Sequence, residues 1–365
     1  MNEYALPYRK FKNERLANLE ESQSKEAVTA MPVRVTLNTN SDCNLQCQLC
    51  GFSSKTSKCR AEYQKTTMDW ELVTQLSEQL FPTAWEIIPT TCGEPLLYKN
   101  WEELIELINK NRCYLGLYTN GMLLDEKISI KLIPYLNDLK ISFDGAVKST
   151  YENLRQGANY ERVIDNIHLF NSLRKNYQYT FRPTLTIQYT LMKSNIEEFP
   201  AMVKLASNIG ADRIAASHVY IFYPDQKEES LLFHQDICDL NLNSSQQIAK
   251  SLNIIIFFPR SFSNSINSNC LFKSGTCSYL YKETWIDING DVHPCFMLDS
   301  PIMGNLYKKS FKTIWNDIPY QNMRRTLNTE SPYFFRCLNC PIRMQFDPNY
   351  LKGYNKAGFL FYEKE

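Results

Sequence analysis

The chain has no apolar run able to cross a bilayer: its longest, Ile254 to Phe258, is far short of the about 20 residues a spanning helix needs. No charge of one sign dominates either, since 40 basic and 39 acidic side chains leave a net charge of +1. Without a basic stripe or a charge block, nothing points to nucleic acid or to an anionic membrane surface. The first residues, MNEYALPYRKFKNER, lack the apolar core of a signal peptide. No internal repeat or low-complexity segment is visible, so solenoids and propellers are excluded. These absences lead to the expectation of a cytoplasmic protein with no membrane or nucleic-acid partner.

Cysteine, by contrast, is plentiful: 12 in 365 residues, a length that accommodates a large core and most readily two domains. In a reducing cytosol such cysteines read as metal or cluster ligands rather than disulfides. They cluster: Cys43, Cys47 and Cys50 fall within one short stretch, and Cys270, Cys277, Cys295, Cys337 and Cys340 lie in the last hundred residues. The spacing C-x3-C-x2-C leaves three readings open. Positions i, i+4 and i+7 share a helix face and suit buried core thiols. Zinc is a second reading. A four-iron cubane held by three thiolates, with one iron free for another ligand, is the third. Asn38 to Asn44, NTNSDCN, is rich in loop and capping residues, which weighs against the helix. The 22 Tyr and 20 Phe residues fit a packed interior or an aromatic-lined pocket.

Residues 1–32 read as a polar, partly helical lead-in. From Val33 strands alternate with helices. Strands are expected at 33–37, 85–88, 114–118, 139–143, 184–191 and 213–219, and helices at 68–80, 100–110, 126–135, 160–174 and 196–209. Six strands with intervening helices imply parallel pairing and a full or partial barrel, with chemistry at the carboxyl ends of the strands. The Cys43 loop, Cys92-Gly93-Glu94-Pro95, Thr119-Asn120-Gly121 and Ser142-Phe143-Asp144-Gly145 all follow strands directly. Residues 223–269 read as a connecting region with a helix-like piece near 244–252. Strands at 284–288 and 292–295 then flank Asn289-Gly290, which predicts a two-residue hairpin turn. A short helix over 310–317 and the pair Cys337-x2-Cys340 follow.

The motifs C-x3-C-x2-C, GEP, TNG and SFDG, each after a successive strand, together resemble the radical S-adenosylmethionine (SAM) superfamily. Cys277, GDVHPC at 290–295, Gly304-Asn305-Leu306 and Cys337-x2-Cys340 resemble its SPASM/twitch extension, which carries auxiliary iron-sulfur clusters. The resemblance implies an α/β fold, a partial (β/α)6 TIM-like barrel over 33–222 followed by a small SPASM/twitch β-hairpin-plus-helix domain over 270–345, with a tail at 346–365. It implies that Cys43, Cys47 and Cys50 hold a [4Fe-4S] cluster whose fourth iron binds SAM. Glu94, beside Gly93, is implied to face the methionine ammonium, Ser142 and Arg155 the ribose and carboxylate, and Phe52 the adenine; Asn120 is also implied in SAM binding. Cys277, Cys295, Cys337 and Cys340 are implied to hold one auxiliary [4Fe-4S] cluster, with a structural zinc site as the alternative.

Two departures stand out. The family usually has GGEP, and here Cys92 replaces the first glycine. No cysteine follows Cys340, so a single-cluster twitch arrangement is expected. The implied function is hydrogen-atom abstraction by a 5'-deoxyadenosyl radical from a peptide or a small natural product, leading to oxidation, cross-linking or epimerisation. A flavodoxin- or ferredoxin-type protein is the expected reductant. Epimerisation needs a thiol to return a hydrogen atom, and Cys92, Cys238 and Cys270 are the candidates. Cys59 and Cys113 read as ordinary thiols, and His218 and His293 as structural. The short lead-in leaves no room for a peptide-recognition domain, which favours a small molecule or a leader-independent peptide. The alternative from another class is a non-catalytic iron-sulfur electron carrier or zinc protein.

Overall fold

A computed structural model describes residues 5–52, 66–176, 182–221, 223–259, 261–265, 277–297, 300–329, 331–335 and 337. Helix α1 (Ala5–Ser22) leads to strand β1 (Arg34–Leu37), followed by α2 (Trp70–Gln79), β2 (Glu86–Pro89), α3 (Trp101–Lys110), β3 (Tyr114–Thr119), α4 (Glu126–Leu132) and β4 (Leu136–Ser142). Next come α5 (Lys148–Leu154), α6 (Tyr160–Asn176), β5 (Thr184–Leu191), α7 (Phe199–Asn208), β6 (Arg213–His218), α8 (Gln235–Leu252) and β7 (Ile255–Phe257). The last main elements are β8 (Glu283–Ile286), β9 (Asp291–His293), β10 (Gly304–Asn305), α9 (Phe311–Trp315) and α10 (Ile318–Thr326). The described residues of Met1–Asp42, Cys59–Gly116 and Cys270–Gly353 form one compact unit, and those of Cys43–Lys58 and Leu117–Asn269 another.

In the first unit β1 is central. Val35 lies opposite Ile87 of β2 and Thr284 of β8, both in parallel pairing, and β2 continues to the first residues of β3. Strand β9 runs antiparallel to β8, and β10 to β9. Helix α3 shows why the local pattern succeeds. Its Leu104, Ile105 and Ile108 are buried at helical spacing, each contributing about 1.5–3 kcal/mol, while Glu102 and Glu103 open it and Lys110 closes it, matching the helix dipole. The hairpin departs from the expected two-residue turn. Asp287 N donates to Asp291 O at 3.0 Å, so three residues, 288–290, lie between the closing pair. The Asp287 carboxylate accepts from Asn289 N and Asp291 N, both at 2.9 Å, and Gly290 takes a φ of 76°.

Helix α1 is tethered by polar groups rather than by an apolar stripe. Lys10 is fully buried; its Nζ donates to Phe81 O at 2.7 Å, to Ala84 O, and to Cys113 Sγ at 3.1 Å. Burial pulls the Lys10 ammonium below its ordinary value, against the attraction of the Cys113 sulfur. The Glu20 carboxylate accepts from Thr29 N at 2.8 Å and Ala30 N at 3.0 Å. Such a helix has no apolar periodicity to read.

In the second unit β4, β5, β6 and β7 pair in parallel, with Ile141, Ile187, Ile214 and Ile256 in one row. Leu185, Ile187, Tyr189 and Leu191 are fully buried, with Tyr189 5.1 Å from the ring of Phe199 in α7. The region 223–269 proves more regular than the sequence suggests. The helix-like piece at 244–252 is the second half of the 18-residue α8, and Ile255–Phe257 is a strand on β6. Helix α8 buries Cys238, Leu242, Ser245 and Ala249 along one stripe.

Candidate active site

Cys43, Cys47 and Cys50 occupy a loop, not a helix face, and all three are partly exposed. The loop is pinned by its backbone: Gln46 N donates to Gln156 O at 2.8 Å and Gln48 N to Leu154 O at 3.0 Å, just past α5. Tyr223, for which the sequence offers no role, donates its hydroxyl to Gly51 O at 2.9 Å. Asn120, at the end of β3, donates to Asn44 Oδ1 at 2.8 Å with the same nitrogen 4.0 Å from Cys43 Sγ.

Arg155 follows α5 and stands between the loop and β4. Its Nη2 is 2.6 Å from Asp144 Oδ2, and its Nη1 is 3.9 Å from Cys47 Sγ. Asp144 Oδ1 also accepts from Thr190 N at 2.7 Å, so the carboxylate ties β5 to the guanidinium. Burial works against the Arg155 charge, but Asp144, Cys47 and Tyr151 together raise the group above its ordinary value. Burial pushes the Cys47 thiol up to about 11; Arg155 pulls it down, and Cys50 and Cys43 push it up again. Asp144 belongs to the SFDG motif, and in the sequence only its carboxylate type hints at a partner for Arg155.

These groups open on a cavity of about 260 Å³, lined by Cys47, Cys50, Asp144, Arg155, Thr190 and Met192 among others. The Arg155 Nε faces no hydrogen-bond partner although it is buried. A guanidinium beside a cavity suits an anionic group.

In the first unit Glu94 is buried after β2. Its backbone N donates to Asp42 O at 2.8 Å, its carbonyl accepts from Asn40 Nδ2 at 3.0 Å, and its carboxylate caps the turn at Pro95–Leu97 through Leu96 N at 3.4 Å. Gly93 is forced by space: an added Cβ meets Asp42 O at 2.6 Å and Asn40 O at 3.0 Å. Cys92 beside it is buried, so the place of the missing glycine holds a side chain without breaking the turn. Cys277, Cys295 and Cys337 all belong to this unit and are partly exposed. Near the first two, Tyr279, Trp285 and Phe296 form an aromatic group with ring centroids 5.2 to 6.4 Å apart.

The remaining candidates scatter. Phe52 is half-buried at the end of the cysteine loop, and Ser142 ends β4 without lining the cavity. Cys238 is fully buried under α8, and burial followed by Asp239 pushes its thiol up to about 12. Cys59, Cys270 and Cys340 lie outside the described residues.

The family model of the Radical SAM superfamily matches residues 37–206, and that of the SPASM iron-sulfur cluster-binding domain matches residues 277–341. The chain carries a radical SAM domain followed by a SPASM domain. Its fold is the α/β partial barrel of that superfamily, followed by antiparallel strands of the SPASM domain. As a radical SAM enzyme it uses [4Fe-4S] chemistry and S-adenosylmethionine. Among its relatives is the tungsten-containing aldehyde ferredoxin oxidoreductase cofactor-modifying protein of Pyrococcus furiosus, 22% identical over 84% of this chain and 86% of that one. The PqqA peptide cyclase of Bradyrhizobium diazoefficiens is 25% identical over 56% of this chain and 51% of that one. Among solved structures, Streptococcus suis SuiB bound to S-adenosylmethionine gives a TM-score of 0.65 at 17% identity, covering 93% of this chain and 77% of that one. SuiB bound to its precursor peptide SuiA gives 0.62 at 17% identity, over 86% and 71%. Among the described residues, no helix of this radical SAM protein is long and apolar enough to cross a membrane.

Proposed function

We propose that this radical SAM enzyme modifies a peptide, with Cys43, Cys47 and Cys50 holding its [4Fe-4S] cluster and Arg155 receiving the carboxylate of SAM. The observation that carries this reading is that Arg155, held by Asp144, lines one cavity together with Cys47 and Cys50. Among the described residues no three His, Cys, Asp or Glu side chains converge on one metal ion. A cubane asks for less convergence, since each thiolate binds a different iron. Three partly exposed thiols, Cys47 among them beside the Arg155 guanidinium, fit such a group, because a bound cationic centre offsets the cost of ionising them.

Bound together, the cluster and SAM would supply radical hydrogen-abstraction chemistry. The chain's own residues orient and shield. Asp144 fixes the guanidinium, the Gln46 and Gln48 amides fix the loop, and Met192 and Leu154 keep part of the cavity wall apolar. Asn120, Phe52 and Ser142 are assigned to hold or border the nucleoside. Cys277, Cys295, Cys337 and Cys340 are assigned to one auxiliary [4Fe-4S] cluster, and a flavodoxin- or ferredoxin-type protein to the supply of electrons. The peptide cyclase relative and the peptide complex of SuiB support a peptide over a small natural product. Cys238 is fully buried and absent from the cavity lining, which weighs against it as the thiol of an epimerisation.

The test is 5'-deoxyadenosine formation by anaerobically reconstituted protein given SAM and dithionite. Wild type is expected to form it, and the variant with Cys43, Cys47 and Cys50 changed to Ala is not. An iron-loaded wild type that binds no SAM and forms none overturns the reading in favour of an electron carrier.

A further inference from the structure

Lys10 and Cys113 lie 103 positions apart in the chain and touch inside the first unit, with Lys10 Nζ 3.1 Å from Cys113 Sγ. Local structure brings them together. Beyond α2 the chain turns, with Ala84 N donating to Leu80 O at 3.0 Å, and the Phe81 and Ala84 carbonyls serve both side chains. Phe81 O accepts from Lys10 Nζ at 2.7 Å and stands 3.3 Å from Cys113 Sγ; Ala84 O accepts from Lys10 Nζ and stands 3.4 Å from Cys113 Sγ. Arg112, at a φ of 51°, completes the turn after α3, and Cys113 N then donates to Ile108 O at 3.0 Å, which fixes the sulfur just ahead of β3. Asn111 O lies 3.8 Å from the same sulfur, and the Trp85 ring centroid 6.0 Å from the Lys10 nitrogen.

The pair is cut off from water, with Lys10 0% and Cys113 7% exposed. Among the described residues Lys10 has two carbonyls and one sulfur as acceptors and no carboxylate, while Arg9 adds a like charge. Burial is the largest influence on each group: it lowers the Lys10 ammonium and raises the Cys113 thiol, so it favours a neutral amine beside a neutral thiol. A neutral amine has a lone pair to offer. Two carbonyls shared by nitrogen and sulfur hold the reacting atoms together, which replaces a bimolecular encounter by an intramolecular one. An oxidised cysteine sulfur is in turn a centre that a neighbouring nitrogen can trap.

We propose that Lys10 and Cys113 form a covalent modification site, in which dioxygen joins them through one oxygen atom as a sulfur-oxygen-nitrogen bridge. The thiol S–H bond and one N–H bond of the neutral amine break, and an S–O and an O–N bond form. The second oxygen atom of dioxygen takes both hydrogens and leaves as water. Sulfur and nitrogen each give up one electron pair, and these two pairs reduce the two oxygen atoms. A one-atom bridge fits the 3.1 Å gap with little movement, whereas a direct sulfur-nitrogen bond needs α1 and the start of β3 to close up much further. The bridge ties α1, otherwise held by polar contacts, to the residue before β3, and it constrains the unfolded chain over a loop of 103 positions. It is independent of the substrate and of the ligands of either cluster.

The experiment uses the full chain reconstituted anaerobically with iron and sulfide and then divided. One half stays anaerobic and the other is held in air-saturated buffer; both are alkylated with iodoacetamide in urea, digested and read by mass spectrometry. The air-exposed half is expected to yield the Lys10 and Cys113 peptides joined, heavier than their sum by one oxygen less two hydrogens, about 14 Da. Dithiothreitol should release the two peptides, and the anaerobic half should show Cys113 alkylated and Lys10 free. Cys113→Ser, which keeps Lys10 and both carbonyls, should give no joined pair. The urea midpoint of the air-exposed wild type should fall on treatment with dithiothreitol, and that of Cys113→Ser should not. A cooperative urea transition confirms that the air-exposed protein is folded when the link is sought. In such a folded sample, Cys113 alkylated in full marks a hydrogen-bonded pair and overturns the proposal. Cys113 carrying oxygen with no link to Lys10, or joined to it with the loss of two hydrogens alone, overturns it as well.

Discussion

Asp144 and Arg155 meet at 2.6 Å, and the same guanidinium stands 3.9 Å from Cys47 Sγ. The pair joins the end of β4 to the cysteine loop, and through Thr190 N to β5. Losing the carboxylate leaves a buried cation without its counter-charge, which costs several kcal/mol. Asp144→Asn is therefore expected to lower SAM affinity at least tenfold in equilibrium dialysis and to lower the urea midpoint, with the iron content kept. Unchanged SAM affinity would mean that Arg155 does not depend on Asp144 for its position.

Gly93 has no room for a methyl group, with Asp42 O 2.6 Å and Asn40 O 3.0 Å from an ideal Cβ. Both neighbours are backbone atoms and cannot swing aside. Gly93→Ala is expected to cost about 1–3 kcal/mol by urea unfolding, the range of an overpacked site. A variant with wild-type stability would show that the loop after β1 yields freely.

Lys10 supplies the buried ends of Phe81 O and Ala84 O with a donor. Lys10→Met removes the charge and leaves both carbonyls without that donor, an expected loss of about 2–4 kcal/mol in urea unfolding. Near-native stability in that variant would show that α1 is held by its other contacts, those of Asn13 and Glu20.

His218 gives the pH dependence a defined window. Its Nδ1 is buried without a hydrogen-bond partner, the ring lies 5.3 Å from Phe262, and burial lowers its pKa from 6.5 to about 4 against the pull of Asp239. The unfolded chain therefore binds a proton between these values and the folded chain does not. The stability associated with neutral His218 is complete above pH 6.5 and is lost as the pH falls towards 4. From about pH 7.5 to about pH 5 the loss amounts to about 2 kcal/mol. His218→Phe is expected to flatten the urea midpoint across that interval, and an unchanged acid slope would remove His218 as its source.

Local chemistry makes much of this protein legible. Leu104, Ile105 and Ile108 announce their helix by spacing alone, and the alternation of strands and helices from Val33 to Val219 by itself implies parallel pairing. The cysteine loop, GEP, TNG and SFDG are short and carry their meaning in residue type and distance along the chain, so they point to the family without a fold. The polar hold on helix α1 and the existence of strand β7 are not legible in this way. Buried Lys10 and Glu20 look like surface residues, and Ile255–Phe257 looks like any short apolar run.

What sequence by itself determined was therefore the cofactor chemistry and the order of the elements, because both depend on contacts a few residues apart. Only the tertiary structure decided that β8 pairs with β1, that Asp144 holds Arg155, and that Lys10 touches Cys113. Those relations depend on strand register and on partners separated by up to hundreds of residues. A one-residue slip would reverse every inward side chain, and nothing local in the chain records it.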